Sequence, residues 1–197
     1  MLRSLLLAEA SRRFELMKDQ GILGTLSPAP SEFITQTVLW TKQNSSSDSS
    51  SERNERNNLN ISRSSIVIDL GCGDGRWLKA IRDLYGCLCI GVELDKERIS
   101  LAAADDSVVL SPATTNTMRR LEFISANMFD IDLHLATHVI IYLSIEGNKK
   151  ILKKLERELE RGTIILSCGF QMPGLIPMDT YRSHGLVAYK YVWYIED

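Results

Sequence analysis

The sequence concentrates glycine in one short segment, where residues 69–75 read DLGCGDG after a β-branched apolar run. Glycines without a Cβ let a ligand approach the backbone N–H groups at the start of the next helix. The G-x-G-x-G spacing fails the dinucleotide fingerprint G-x-G-x-x-G at its last glycine, and the Lys-Ser/Thr of a P-loop is missing. The segment therefore predicts a nucleotide-type binding loop, with a simple tight turn between strand and helix as the alternative interpretation.

An acidic residue stands at the end of the following predicted strand. Glu93 comes about 20 residues after the glycines, where a carboxylate can accept hydrogen bonds from both hydroxyls of a ribose. An exposed carboxylate at a strand end is the alternative interpretation. The two features together, at this separation, are more specific than either alone, and they predict a ligand that contains a ribose.

A third polar segment, SANMFD at residues 125–130, follows the next predicted strand. Asn127 can accept a hydrogen bond from the exocyclic amine of an adenine, and this segment can also supply apolar surface to the ring. An Asn that simply favours a turn is the competing explanation. The segment therefore predicts the adenine end of the same ligand site.

These residues need a sheet whose strands end side by side. Apolar and β-branched runs predict strands at residues 66–70, 87–93, 121–125, 137–143 and 163–167. Helical periodicity between them predicts helices at residues 76–85, 96–104 and 146–160. This alternation indicates an α/β fold, a Rossmann-like, mostly parallel sheet with helices on both faces. Residues 186–195 are expected to close it with one or two antiparallel strands, and ligands in such a sheet lie at the carboxyl ends of the central strands.

Composition divides the chain into three parts. Residues 1–43 are predicted to form helices that pack on the core, with an organelle-targeting leader as the alternative for the first twenty residues. Residues 44–65 hold nine Ser and five Asn and are predicted to be a flexible insertion. Residues 66–197 are predicted to form the ligand-binding core.

Length, charge and cysteine usage exclude several classes of protein. The 197 residues suffice for about one domain, and 23 basic against 25 acidic residues give no strong nucleic acid signal. No apolar stretch approaches the roughly 18 residues of a membrane span. The four cysteines lie in or beside apolar runs, which predicts reduced thiols in a cytoplasmic protein, with a mitochondrial location as the alternative. Cys87 and Cys89 lack the spacing of a zinc site, so no metal is expected.

Two stretches resemble class I S-adenosylmethionine-dependent methyltransferases: VIDLGCGDGR carries the glycines, and GVELD carries Glu93. More narrowly, four segments resemble a small group that includes protein-lysine methyltransferases of the mitochondrial ATP synthase c-subunit type; they are SPAPSEFI, ANMFDIDL, HVIIYLSIEGNKKILKKLERELERGTIILSCGFQMPG and YKYVWYIE. The resemblance covers most of residues 28–196, apart from the Ser/Asn-rich insertion and residues 111–120. Asn127 stands where the family commonly has Asp, a change that keeps an acceptor and removes a charge.

The resemblance implies in-line transfer of a methyl group from S-adenosylmethionine to an acceptor, with a protein lysine favoured. It implies catalytic roles for Tyr142, which would shape the pocket or accept a hydrogen bond, and for Glu146, which would orient an amine. A core aromatic and a carboxylate at a helix N-terminus are the alternatives for these two residues. The implied cofactor-binding residues are Asp69, Gly71, Cys72, Gly73, Gly75, Glu93, Leu94, Asn127, Met128 and Phe129.

Two other functions stay open on the sequence alone. A nicotinamide-dependent oxidoreductase would use Glu93 for its ribose equally well, but the glycine spacing and the absence of a Tyr-x-x-x-Lys dyad count against it. A non-catalytic binding protein on a methyltransferase scaffold would keep the same loop, because a fold does not establish an activity.

Overall fold

The structure is a computed structural model that describes residues 29–40, 61–104 and 121–194. The helix predicted within residues 1–20, most of the insertion at 44–65 and residues 111–120 lie outside these ranges. The helices are α1 (Ser31–Trp40), α2 (Arg76–Tyr85), α3 (Lys96–Ala104) and α4 (Ile145–Glu158), and a 3-10 turn spans Met128–Asp130. None of the helices in the described ranges is long and apolar enough to cross a membrane. The strands are β1 (Ile66–Leu70), β2 (Leu88–Glu93), β3 (Leu121–Ser125), β4 (His138–Ile141), β5 (Ile164–Cys168), β6 (Asp179–Ser183) and β7 (Leu186–Val192).

The strands of the described ranges form one sheet in the order β3-β2-β1-β4-β5-β7-β6. Strands β1 to β5 run parallel to one another, whereas β7 runs antiparallel to both β5 and β6. The order of the strands reverses between β1 and β4, and ligands bind at such a switch point, beyond the carboxyl ends of the strands. The predicted α/β fold, mostly parallel with an antiparallel close, is confirmed.

Both faces of the sheet are buried under helices. On one face, Val67 packs with Phe33 of α1 and Trp77 of α2, whose rings meet edge to face with centroids 6.0 Å apart. On the other face, Ile68 packs in a cluster with Ile151 of α4. Successive residues of β1 therefore enter opposite cores, which explains why the strand reads as an almost continuous apolar run.

Helix α1 joins the face that carries α2 to the last hairpin of the chain. Gln36 Oε1 accepts hydrogen bonds from the hydroxyls of Tyr181 and Ser183 at 3.1 and 2.8 Å. Trp40 stacks on Tyr181 with ring centroids 5.3 Å apart. Helix α1 thus packs across the outer, antiparallel strands as well as on α2.

The sequence predicts no strand at residues 179–183, where the structure has β6. Its sequence DTYRS is polar because β6 is an edge strand that pairs only with β7, and none of its residues is fully buried. Strand β4 ends at Ile141, two residues before its predicted end, and α4 begins one residue earlier than predicted. Residues 142–144 therefore form an irregular segment at the edge of the sheet where the ligand is expected.

Candidate functional site

The glycine loop, residues 71–75, lies at the carboxyl end of β1. The N–H groups of Gly71 and Cys72 both donate to the carbonyl of Val92, at 2.8 and 3.0 Å, so the loop is fastened to the end of β2. Gly71 and Gly73 have φ angles of 86° and 56°, a region that residues with a Cβ rarely adopt. A Cβ on Gly73 would meet no described atom within 4 Å. The loop is thus closed toward the sheet and open at Gly73.

Two further glycines allow the loop to pack tightly on the neighbouring strands. A Cβ on Gly75 would lie 2.3 Å from Phe123 Cζ, and a Cβ on Gly91 would lie 2.7 Å from Cys72 Sγ. Gly75 belongs to the motif, whereas Gly91 was not among the predicted site residues. The sequence does carry a signal for Gly91, because an isolated glycine inside a strand often marks a close approach of another part of the chain.

Glu93 connects the end of β2 to the glycine loop and is only 6% exposed. Its Oε1 accepts hydrogen bonds from the N–H groups of Leu94 and Asp95 at 2.8 and 3.0 Å. Its Oε2 accepts from the N–H of Gly73 at 3.0 Å. These backbone donors hold the carboxylate in one orientation. A carboxylate has about four acceptor sites, so one remains for a hydroxyl donor.

Asp69 lies near the end of β1 and is 2% exposed. Among the described residues, no hydrogen-bond donor contacts its Oδ2. Burial, together with the nearby charges of Glu93 and Asp74, raises the pKa of Asp69 to about 8. A buried carboxyl oxygen without a donor costs free energy, and an ammonium or hydroxyl group of a ligand would remove that cost.

Arg76 ties the glycine loop to the segment before α1. Its Nε donates to both carboxylate oxygens of Asp74 at 2.9 Å, and a second guanidinium nitrogen also pairs with Asp74. Its Nη1 donates to the carbonyl of Ala29 at 3.0 Å. The hydrogen bonds from Arg76 lower the pKa of Asp74. Arg76 was not predicted as a site residue, since its partner Ala29 lies far away in the sequence.

The segment after β3 turns at Asn127 and reaches the glycine loop. Asn127 Oδ1 accepts a hydrogen bond from the N–H of Phe129 at 3.1 Å and so caps the 3-10 turn. The turn role of this Asn is therefore present, and an amide oxygen can accept a second hydrogen bond. Met128 is buried, and its Cε would lie 3.7 Å from a Cβ on Gly71. The structure thus places this predicted apolar surface beside the glycines.

The irregular segment after β4 lies between the glycine loop and the end of β5. A Cβ on Gly71 would lie 3.3 Å from Leu143 Cδ2, and a Cβ on Gly169 would lie 2.9 Å from Tyr142 Cε2. Burial raises the pKa of the Tyr142 phenol, with a further contribution from Cys168. Tyr142 therefore keeps its proton at neutral pH and can both donate and accept a hydrogen bond. Leu143 and Gly169 were not predicted, because their contacts depend on the tertiary fold.

Glu146 lies on the exposed surface of the first turn of α4. Its Oε1 accepts a hydrogen bond from Lys149 Nζ at 2.7 Å, which lowers the pKa of Glu146. In the described part of the chain, no hydrogen bond or ion pair joins Glu146 to Tyr142. The structure thus places Tyr142 beside the end of β5 and pairs Glu146 with a lysine on its own helix.

The cysteine pair lies in the core. The Sγ atoms of Cys87 and Cys89 are 3.7 Å apart, and both residues are fully buried on the face that carries α2. Across residues 29–40, 61–104 and 121–194, no group of three or more His, Cys, Asp or Glu residues could hold a metal ion. The described side chains at the ends of β1 to β4 instead suit an organic ligand with hydroxyl and ammonium donors.

Comparison with known proteins agrees with this geometry. A family model described as the ANTKMT methyltransferase domain matches residues 69–179, a stretch that contains the glycine loop, Glu93 and Tyr142. The protein-lysine N-methyltransferase of Saccharolobus islandicus strain REY15A is 33% identical over 123 residues, which make up 62% of this chain and 73% of that relative.

The fold is also shared with a solved structure. The crystal structure of an RNA methyltransferase from Salinibacter ruber in complex with S-adenosyl-L-homocysteine covers 87% of this chain and 98% of its own, with 22% identity and a TM-score of 0.67. The family match covers more than half of the chain and excludes the oxidoreductase interpretation. The chain belongs to the ANTKMT methyltransferase domain family and is an S-adenosylmethionine-dependent methyltransferase.

Proposed function

We propose that the protein methylates the side-chain amine of lysine in a protein acceptor. The observation that carries this proposal is the 33% identity with a relative named protein-lysine N-methyltransferase, over 73% of that relative's length. A formal charge of -2 also favours a protein acceptor, because a nucleic acid backbone is usually bound by a strongly basic surface.

The proposed cofactor site crosses the carboxyl ends of β1, β2 and β3. Glu93 would accept from a ribose hydroxyl with the acceptor site that its backbone donors leave free. Asp69 Oδ2, which lacks a donor among the described residues, would accept from the amino group of the cofactor. The open space at Gly73 would let the cofactor approach the loop backbone. The residues proposed to bind S-adenosylmethionine are Asp69, Gly71, Cys72, Gly73, Gly75, Glu93, Leu94, Asn127, Met128 and Phe129.

In the proposed reaction, the main task of the protein is to align the acceptor amine with the methyl group. When bound, S-adenosylmethionine supplies a methyl carbon attached to a positively charged sulfur. That leaving group needs no proton, so the carbon–nitrogen bond can form as the carbon–sulfur bond breaks. The side chains have to hold the acceptor amine in line with the methyl carbon after the lysine ammonium has lost a proton to a nearby acceptor or to water. Tyr142 would border the amine and accept a hydrogen bond from it. Glu146 would orient the amine from the rim, in exchange for its pairing with Lys149.

We further propose that the protein works in the cytoplasm and that residues 66–197 form its catalytic core. Cys72, Cys87, Cys89 and Cys168 are all buried, and no disulfide joins them to one another, as is usual for proteins of a reducing compartment. Fractionation of cells that express the full chain tests the location. Recovery of the protein with a membrane-bounded organelle would contradict it.

Methyl transfer from labelled S-adenosylmethionine tests the proposed function. The full chain is incubated with a protein extract and, separately, with total RNA, and labelled peptides are mapped by mass spectrometry. We expect methyl-lysine in the protein arm, lost with Glu93→Ala and kept with Glu97→Ala, which changes an exposed residue on α3. Label in the RNA arm alone, or on an amino acid other than lysine, would overturn the proposal.

A further inference from the structure

We propose that the acceptor wall, which we define as residues 169–172 after β5, forms the acceptor side of the methyl-transfer site. Gly169 is a positioning residue that acts through the ring of Tyr142, and Asn148 holds the residues that follow Gly169. The inference rests on the proposed function only in assigning the acceptor to the Tyr142 side of the site.

Gly169 sets the position of the Tyr142 ring by its missing side chain. Gly169 has a φ of +79°, and a Cβ there would lie 2.9 Å from Tyr142 Cε2 and 3.5 Å from Cδ2. Real Cβ atoms essentially never approach a ring carbon at the first of these distances. The neighbour is the ring itself, so even a methyl group at residue 169 would displace the tyrosine.

The register of the sheet places this contact next to the proposed cofactor site. Asp69 of β1 pairs with Ile140 of β4, and Ile140 pairs with Leu166 of β5. Alternation along β1 puts Asp69 on the same face as Val67, which packs in one cluster with Ile140 and Cys168. Tyr142 follows the end of β4 and packs against this same cluster, nearer the ligand edge. The side chain of Leu143, the next residue, instead lies 3.3 Å from where a Cβ on Gly71 would be. Tyr142 therefore stands between the cofactor loop and the acceptor wall.

Buried side chains hold the acceptor wall in place. Asn148 of α4 is fully buried, and its Nδ2 donates to the carbonyls of Phe170 and Gln171 at 3.3 and 3.2 Å. Ser167 Oγ also donates to the carbonyl of Phe170, at 2.7 Å. Within the described residues Asn148 Oδ1 has no partner, so the side chain acts here through its donor group.

The wall fits an unbranched alkyl amine. The Tyr142 ring occupies the space beside Gly169 where a side chain would start, and Phe170 adds a second, half-buried aromatic side chain to the same stretch. An aromatic surface packs well beside a methylene chain whose amine stays polar at its tip. Displacing the ring should therefore weaken acceptor turnover and leave cofactor affinity unchanged.

Two glycine variants separate this role from backbone strain. Gly169→Ala and Gly174→Ala change glycines with φ of +79° and +75° in the same loop, but a Cβ on Gly174 meets no described atom within 4 Å. We expect Gly169→Ala to lower kcat/KM for the acceptor about tenfold or more, because misplacement of a positioning group carries such a cost. Its Kd for S-adenosylmethionine should stay unchanged, and Gly174→Ala should match the parent in both. Equal loss in both variants, or a loss confined to cofactor affinity, would overturn the proposal.

A spectroscopic test needs no acceptor. In protein labelled with ¹³C at the tyrosine rings, the signal missing from Tyr142→Phe identifies Tyr142. We expect this signal to move in Gly169→Ala and to stay in place in Gly174→Ala; an unmoved signal in Gly169→Ala contradicts the proposal. If Gly169→Ala does not fold, Ser167→Ala, which removes one hydrogen bond to Phe170, should shift the same signal. A shifted signal in a protein that methylates no lysine would refute the proposed function and leave the Gly169 contact standing.

Discussion

The Oε2 atom of Glu93 accepts a hydrogen bond from the N–H of Gly73 at 3.0 Å. The carboxylate proposed to bind the ribose therefore also orders the loop proposed to lie against the rest of the cofactor. Loss of the carboxylate removes a ribose acceptor and at the same time frees the loop at Gly73. The two sequence motifs act as one structural unit.

Glu93→Ala should weaken S-adenosylmethionine binding by about 2 to 3 kcal/mol, the scale of losing charge-assisted hydrogen bonds. Isothermal titration calorimetry measures the affinity, and Glu97→Ala serves as a control at an exposed acidic residue on α3. Equal affinity of Glu93→Ala and the parent would remove Glu93 from the site.

Gly73→Ala should weaken S-adenosylmethionine binding about tenfold, because its Cβ would fill space that the cofactor needs to approach the backbone. Gly162→Ala is the matched control, since Gly162 also has a positive φ, of +91°, and open space around a Cβ. Both variants should lose similar stability in urea unfolding. Retained cofactor affinity in Gly73→Ala would show that the loop is a structural turn.

Asp69 should make stability depend on pH. Its pKa is about 8 in the folded chain and 3.8 as a free side chain, so the folded chain holds an extra proton between these values. The contribution of Asp69 to the free energy of unfolding should therefore be fully present below about pH 4 and fall as pH rises to 8, by at most roughly 1.4 kcal/mol per pH unit. Urea unfolding of the protein and of Asp69→Asn at several pH values measures this slope. Parallel profiles for the two proteins would contradict the raised pKa.

Arg76→Lys should weaken cofactor binding severalfold although it keeps the charge. A lysine cannot reproduce the fork that contacts Asp74 and the carbonyl of Ala29 together, so the glycine loop loses its tie to the segment before α1. Arg82→Lys, on the same helix, provides the control. Calorimetry measures the affinity of both variants for S-adenosylmethionine. Equal affinities would contradict the proposed role of Arg76 in holding the glycine loop.

The parts of the site that could be predicted are local in the sequence. The glycine loop and Glu93 are short motifs at the ends of two strands, and the parallel sheet brings strand ends together by its topology. Asn127 shows the limit of such reasoning, because a turn role and an adenine role are both compatible with one residue, and the structure displays the turn.

The parts that could not be predicted depend on residues distant in the sequence. Tyr142 was identified, but its position depends on Gly169, which approaches it only through the pairing of β4 with β5. The hydrogen bond from Arg76 to Ala29 and the close approach of Cys72 to Gly91 also join residues that are distant in the sequence. The sequence does not predict strand β6 for a different reason, because an edge strand buries too little surface to need an apolar pattern.

The contacts of Gln36 with Tyr181 and Ser183 also bear on the order in which the chain can fold during synthesis. Helix α1 is made early, yet its partners in β6 are made some 145 residues later. On a ribosome, Phe33 can pack on Trp77 of α2 early, but Gln36 and Trp40 must wait for their partners in β6 until nearly all of the described chain has emerged. Contacts of such long separation slow folding. A chain that terminates before β6 should therefore be prone to aggregation rather than form a smaller folded enzyme.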